Sequence, residues 1–103
     1  MDFKLDEEVK DFEKLFRGHF DAINADEDYY EDPNGAQKQA IIIENRLKDK
    51  ELIKAVITFP DGGGYDVDFV YENDNAVPGI TKDHFKSREE LLQGWQRFIS
   101  LYK

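Results

Sequence analysis

The sequence predicts an α+β fold, in which an antiparallel sheet of two to three strands has an N-terminal and a C-terminal helix packed on one face, in the order α-β-β-β-α. Near both ends of the chain, apolar residues recur at steps of three and four, the spacing of one helical face. Two central segments instead alternate apolar and polar residues, which is typical of strands. Because 103 residues is a usual length for one domain, we expect residues 1-103 to form a single globular domain.

An amphipathic helix is predicted at the N-terminal end of the chain. Its apolar positions follow the helical spacing, and they are Val9, Phe12, Phe16, Phe20 and Ile23. Acidic residues precede them and suit the positive end of a helix dipole. We expect this helix to end near Asn24.

The next segment, residues 26–35, reads DEDYYEDPNG and contains five acids, no base and two adjacent tyrosines. Pro33 fixes its own φ, and Asn34 with Gly35 tolerates the left-handed conformation, so the segment ends in a turn signal. Its composition predicts an ordered acidic loop.

Residues 36–51 are compatible with two structures. The three consecutive isoleucines of AIIIENRL are β-branched, which favours a strand with Ile41, Ile43 and Leu47 on one face. The Gln, Lys and Glu residues around them favour a helix from Ala36 to Lys48. We predict the strand and keep the helix as the alternative.

A β-hairpin is the clearest prediction. LIKAVITF and YDVDFVYE alternate on either side of PDGGG, a loop rich in residues that allow positive φ. One register gives a continuous apolar face, and it pairs Phe59 with Tyr65, Ile57 with Val67, Ala55 with Phe69 and Ile53 with Tyr71. The opposite face then carries Lys54, Thr58, Asp66 and Asp68.

The composition of NDNAVPGI predicts a loop, and a second helix begins after it. Ser87 is the expected N-cap of a capping box, Ser87-Arg88-Glu89-Glu90. The buried face of this helix is predicted to comprise Leu91, Leu92, Trp95, Phe98, Ile99 and Tyr102. Gly94 is unfavourable inside a helix, which indicates a close approach to the sheet or to the first helix.

The charge of the chain limits its possible partners. The net charge is −9, and it is concentrated in residues 1–35, with 12 acids and 4 bases, and in residues 56–80, with 5 acids and no base. Nucleic-acid binding depends on Lys and Arg, so direct nucleic-acid binding is not expected. The same field would accelerate association with a basic protein.

Cysteine is absent, which excludes disulfides, thiolate ligands and a cysteine nucleophile and fits a reducing compartment. The N-terminal sequence MDFKLDEE lacks the basic and apolar regions of a signal peptide, and the longest apolar run is only Ala40 to Ile43. We therefore expect a cytoplasmic protein that does not enter a membrane.

Several residue patterns are candidate sites of chemistry. Asn24, Asp26 and Asp28 alternate as in a calcium-binding EF-hand loop, but Tyr29 and Gly35 stand where that loop needs Gly and Glu. The two histidines, His19 and His84, have no metal-binding spacing. We expect no metal and no cofactor.

Two further patterns resemble catalytic groups. Asp66 and Asp68, with Cα atoms about 6.5 to 7 Å apart along a strand, have the spacing of paired glycosidase carboxylates. The same alternation is expected of a solvated sheet face. His84 and Ser87 could form a base and nucleophile, but a capping serine already has a structural role. We expect no catalytic residue and no enzymatic activity.

Tyr29 and Tyr30 are the strongest candidates for binding. Tyrosine combines a large apolar body with a hydroxyl and is enriched at interface hot spots. The predicted partner-binding residues are Asp26, Glu27, Asp28, Tyr29, Tyr30, Glu31, Asp32, Asp66 and Asp68. The tyrosine pair among acids resembles the toxin-facing surface of bacterial DNase-immunity proteins, a resemblance that covers these tyrosines and the neighbouring carboxylates only.

A second resemblance involves the first predicted helix with INADEDYY, which is similar to the start of nuclear-transport-factor-2-like domains. That resemblance implies helices leading into a longer curved sheet. Neither resemblance assigns a function to an individual residue.

Three functions are compatible with the sequence. The first is a small acidic protein-binding module, for example an inhibitor or immunity-type protein engaging a basic partner. The second is a small-molecule-binding or enzymatic domain with a pocket between helices and sheet. The third is a homodimeric or accessory subunit joined through a strand edge.

Overall fold

A computed structural model describes residues 4–30, 37–48, 50–73 and 76–102. Two helices flank five strands. Along the chain the elements are α1 (Leu5–Leu15), β1 (Ala22–Tyr30), β2 (Gln37–Lys48), β3 (Glu51–Thr58), β4 (Tyr65–Asn73), β5 (Ala76–Phe85) and α2 (Arg88–Tyr102). The α+β class and the terminal position of both helices are confirmed.

The strands form one antiparallel sheet in which each strand pairs with its neighbour in sequence, in the order β1-β2-β3-β4-β5. The prediction of two to three strands is therefore wrong. The two additional strands, β1 and β5, are the edges of the sheet. The strand β1 occupies residues that were predicted to be the end of the first helix and part of the acidic loop. The strand β5 begins within the predicted NDNAVPGI loop.

The first helix is shorter than predicted. It ends at Leu15, and the chain turns through Gly18, whose φ of +84° lies in the left-handed region that glycine adopts without strain. Phe20 and Ile23 are half-buried beside the core, beyond the helix end. Their spacing of three residues suggested a helix, but Gly18 after Lys14 and Arg17 is a helix stop signal.

The strand β1 runs through residues predicted to be helix and loop. Ile23 and Ala25 pair with Ile43 and Ile41 of β2, on the face that carries the helices. The alternate residues are polar because the opposite face lies open. An edge strand needs few apolar residues, so composition alone favoured a loop. Residues 31–35, with the predicted Pro-Asn-Gly turn, lie outside the described residues.

The other edge strand, β5, contains Pro78 and Gly79, which suggested a loop. Proline has no N–H to donate to a neighbouring strand, so it is tolerated on an edge strand. Residues 79–84 are all exposed. This strand therefore lacked the apolar alternation by which a strand is recognised in a sequence.

The centre of the sheet agrees with the sequence predictions. Residues 37–48 form a strand, so the helical alternative for this segment is wrong. In the hairpin of β3 and β4, the observed pairs include Ile57 with Val67, Ala55 with Phe69, and Ile53 with Tyr71, as predicted. Apolar alternation fixed this register because a shift of one residue would bury aspartates.

Both helices pack on one face of the sheet, as predicted. The buried cluster lies between the helices and the sheet. It includes Phe12 of α1 and Phe16 directly after α1, Trp95 and Phe98 of α2, and the inward residues of the central strands. Phe69 of β4 lies at its centre, with ring centroids 5.1 Å from Phe98 and 6.4 Å from Trp95. Aromatic residues therefore supply much of the apolar area between helices and sheet.

The backbone carbonyl of His19 joins three parts of the fold. It accepts a hydrogen bond of 2.6 Å from the indole Nε1–H of Trp95 and one of 3.4 Å from the amide Nδ2 of Asn45. Asn45 is buried on β2, and Trp95 is fully buried on α2. These bonds fix the turn after α1 against both the sheet and the second helix.

The second helix begins as predicted, with the hydroxyl of Ser87 accepting a bond from the N–H of Glu90 at 3.2 Å. The Glu90 carboxylate accepts a bond from the N–H of Lys86, one residue before the expected donor Ser87. Gly94 is buried against the sheet, as its presence in the helix predicted. A Cβ added there would lie 2.8 Å from Cε1 of Phe85 on β5.

We predict that Gly94→Ala destabilises the fold even though alanine is the better helix former. The Phe85 ring must move to admit the methyl group, and overpacking of this kind costs about 1 to 3 kcal/mol. Urea unfolding would measure the change. Gly62→Ala is the matched control, because a Cβ at that loop position meets nothing within 4 Å. Equal stability of Gly94→Ala and wild type would contradict the close approach.

Candidate functional site

One face of the sheet carries no helix among the described residues, and we call it the open face. Pairing places on it alternate residues of every strand. One complete row across the five strands comprises Asp26, Ala40, Thr58, Asp66 and His84. The next row comprises Asn24, Ile42, Val56, Asp68 and Lys82. The helices occupy the other face.

Charged side chains pair across neighbouring strands of the open face. The ammonium Nζ of Lys54 lies 2.6 Å from a Glu72 carboxylate oxygen, and Nζ of Lys82 lies 3.3 Å from Oδ1 of Asp68. Such partly exposed pairs each contribute little to stability, about 0 to 1 kcal/mol. Their main effect is on the pattern of charge that this face presents.

Apolar residues lie among these ion pairs. Val56 and Val70 are only 8% exposed although both lie on the face away from the helices. Ile80 of β5, opposite Val70, is 60% exposed. The open face therefore combines enclosed apolar positions with a charged surface.

A β-bulge in β1 decides which way the acidic segment points. Asp26 pairs with Ala40 and Tyr29 pairs with Lys38, so β1 has one extra residue between these pairs. The N–H of Asp28 donates to Oδ1 of Asp26 at 2.9 Å within the bulge. The extra residue shifts the alternation, and Asp26 and Tyr29 consequently share the open face.

The structure brings four of the predicted partner-binding residues to the open face, namely Asp26, Tyr29, Asp66 and Asp68. The carboxylate-bearing positions on β1 and β4 are three strand spacings apart, or about 14 Å. Glu27 and Asp28 lie in the exposed bulge at the sheet edge. Tyr30 pairs with Gln37 on the alternate register position. Glu31 and Asp32 lie outside the described residues.

Sequence analysis missed the open-face residues of β5. Nδ1 of His84 lies 2.7 Å from Oδ1 of Asp66, and both side chains are about half exposed. A hollow of about 350 Å³ beside this pair is lined by Asp66, Val67, Asp68, Lys82, Asp83 and His84. No signal for these contacts existed in the sequence, because β5 lacks apolar alternation.

The pair of His84 and Asp66 resembles part of a catalytic triad, but its surroundings do not complete one. The neighbouring hydroxyl of Thr58 donates to the backbone carbonyl of Asp66 at 3.4 Å. The hydroxyl of Ser87 is the helix cap described above. A nucleophile, a base and an orienting acid are therefore not aligned among these residues.

Within the described ranges, no group of three or more His, Asp or Glu side chains is placed to hold a metal ion. The same ranges contain no helix with the length and apolar character needed to cross a membrane.

A second charged cluster joins the two helices to β4. The Nη1 of Arg88 lies 3.1 and 3.2 Å from the two carboxylate oxygens of Glu8 and 3.2 Å from Oη of Tyr65. Its Nη2 lies 3.7 Å from a carboxylate oxygen of Asp11. This cluster closes the gap between the start of α1 and the start of α2.

Two groups in this cluster have shifted pKa values. Burial raises the pKa of Tyr65, the nearby Glu8 carboxylate raises it further, and Arg88 opposes the shift. Burial alone would lower the pKa of Arg88, but Tyr65 and Glu8 together outweigh it and raise that pKa. Tyr65 is therefore a neutral hydrogen-bonding group at neutral pH and is poorly suited to act as a base.

Comparison with known proteins gave no match: no family model fits the chain, and neither a curated protein nor a solved structure is significantly similar to it.

We predict that Tyr65 makes the protein less stable at high pH. Because its pKa is raised on folding, the unfolded chain loses this proton first, and the free energy of unfolding falls as pH rises above the ordinary value of 10.0. Urea unfolding from about pH 8 to about pH 11.5 should show a shallower decline for Tyr65→Phe than for wild type. Tyr102→Phe controls for loss of a phenol. Parallel curves for wild type and Tyr65→Phe would contradict the shift.

Proposed function

We propose that this protein is a binding module that engages a basic protein partner through the open face and the adjoining β1 edge. The observation that carries the proposal is the gathering of Asp26, Tyr29, Asp66 and Asp68 on a sheet face that the helices leave uncovered. Flat, uncovered sheet surfaces with mixed apolar and charged residues suit a protein surface better than a small molecule, which requires an enclosed site.

Charge supports a basic partner. The net charge of −9 provides long-range attraction. At the β1 edge, Asp26, Glu27 and Asp28 are three consecutive acids that a basic surface would meet first. On the rest of the open face the acids Asp68 and Glu72 already have basic partners. Association would therefore begin at the β1 edge and be completed across the face.

Tyr29 provides the apolar contact that charge alone does not. It is half-buried at a corner of the open face, beside Lys38. An aromatic ring at the rim of an acidic surface can pack against the aliphatic stems of Lys and Arg while the carboxylates pair with their charged ends. Together these contacts would give both affinity and salt dependence.

An inhibitor of immunity type is the form of this function that we favour. A protein that cuts nucleic acid presents a basic surface to phosphate groups, and carboxylates on the open face would occupy the places of those phosphates. Inhibition would be steric and electrostatic, and it would need no catalytic group in this chain.

The proposal predicts that Asp26→Asn, Asp66→Asn and Tyr29→Ala, combined in one variant, weaken capture of the partner. Asparagine keeps the Oδ1 acceptor that bonds the N–H of Asp28, so the bulge should persist. Loss of two charges and one anchor should reduce affinity by at least about tenfold, since a single hot-spot residue is worth about 2 kcal/mol. Pull-down from the native host lysate, at low and high salt, followed by titration of the captured protein, would measure it.

A matched control separates this surface from net charge. Glu7→Gln with Glu13→Gln removes the same number of charges from the exposed side of α1. The control should capture the same partner with nearly unchanged affinity, and both variants should unfold at similar temperatures. Equal loss in the two variants would mean that total charge governs binding. No loss in either would remove the open face from the interface.

A further inference from the structure

Exposed apolar residues also lie at the far end of the sheet. Among the described residues, three large apolar side chains are exposed, Leu101 at 75%, Ile80 at 60% and Tyr102 at 41%. Ile80 lies on the open face opposite Val70, whereas Leu101 and Tyr102 end α2 on the helix side. Leu101 and Tyr102, together with Gly79 and Tyr71, form what we call the aromatic corner.

The rings of Tyr71 and Tyr102 form the centre of the aromatic corner. They are stacked with centroids 4.5 Å apart and planes within 6° of parallel. Gly79 lies beside Tyr71 across the β4–β5 pair, and a Cβ added to Gly79 would meet nothing within 4 Å. The stack is therefore open to an approaching side chain at the sheet edge.

Acidic and dipolar groups around the stack favour a cation. The hydroxyl of Tyr71 donates to Oε1 of Glu51 at 3.0 Å, and the amide of Asn73 donates to the same oxygen at 3.4 Å. A carboxylate has about four lone-pair positions, so Glu51 can accept further donors. The last described turn of α2 contains no basic residue, and helix C-termini carry partial negative charge.

We propose that the aromatic corner receives an arginine side chain of the basic partner. The guanidinium would lie against the exposed part of the Tyr102 ring and donate to the Glu51 carboxylate, while its methylene stem would contact Leu101. Arginine fits better than lysine because its planar group stacks on aromatic rings and donates in a fixed fork. This inference rests on the proposed function in one respect only, namely that the partner is a basic protein.

The test uses a single cation, so that it does not depend on identifying the partner. The ¹⁵N-labelled full chain would be titrated with N-acetyl-arginine amide, and in parallel with N-acetyl-lysine amide, in buffer with physiological salt. The backbone signals of Gly79, Leu101 and Tyr102 should shift in a saturable way with the arginine compound. The lysine compound should bind more weakly, because an ammonium group cannot stack on the ring and donates without a fixed fork.

Three variants identify the groups involved. Tyr102→Leu keeps an apolar side chain but removes the ring, and Glu51→Gln removes the charge. Each should weaken arginine binding about two- to fivefold. Glu13→Gln on α1 is the control for net charge and should leave binding unchanged. Thermal unfolding of each variant would confirm that it is folded.

Several outcomes would overturn the proposal. Shifts spread over the acidic surface, with equal effects of arginine and lysine, would mean nonspecific attraction. Binding unaffected by Tyr102→Leu would exclude the ring. Sedimentation showing a dimer that Tyr102→Leu dissociates would assign the corner to a second copy of the chain. The arginine titration tests the aromatic corner, and the pull-down with the open-face variant tests the proposed function. Either experiment can fail while the other succeeds, so failure of one proposal is distinguished from failure of the other.

Discussion

The fold depends on how the chain turns from α1 into β1, and the His19 carbonyl controls that turn. Its two donors, Trp95 and Asn45, come from elements that are far away in sequence. Loss of either donor would leave a partly satisfied buried group, at a cost of about 1 to 3 kcal/mol. With the turn fixed, Asp21 and Ala22 enter the sheet beside Glu44 of β2. The same contacts hold α2 over the sheet and therefore place its C-terminal end at the aromatic corner.

Because both helices pack on one face, the inward residues of the central strands are largely apolar and most of the charged residues of those strands lie on the other face. In the middle of the sheet this division follows from alternation, since Ile57 and Val67 face the helices while Thr58 and Asp66 do not. At the edge it requires the bulge, which turns Tyr29 to the same side as Asp26. A one-residue irregularity in an edge strand thus decides whether an aromatic ring joins the open face.

The central hairpin and α2 could be predicted from the sequence because packing in the core requires apolar residues at regular positions along them. Ala55, Phe69 and Phe98 are each buried in the core, and buried positions of this kind produce a periodic pattern of apolar residues in the sequence. The edges could not be predicted in this way. Asp26–Asp28 and Thr81–Asp83 are exposed or nearly so. Contact with solvent does not require apolar residues at regular spacing, so these segments show no strand pattern. The bulge leaves no signal that composition reveals, so the face occupied by Tyr29 followed only from the pairing.

The β1 edge and the β5 part of the open face consequently consist of residues whose secondary structure the sequence did not reveal, whereas most of the aromatic corner belongs to β4 and α2, which it did. Core packing does not explain an isoleucine that is 60% exposed on a strand, or the exposed leucine at the end of α2. Single exposed apolar residues are ordinary, but Leu101 and Tyr102 are neighbours, and a Cβ at Gly79, which pairs with Tyr71, would meet nothing within 4 Å. If both proposals hold, the β1 edge would attract a basic partner by charge and the aromatic corner would receive one of its arginine side chains, so the partner would meet the sheet at two separate places.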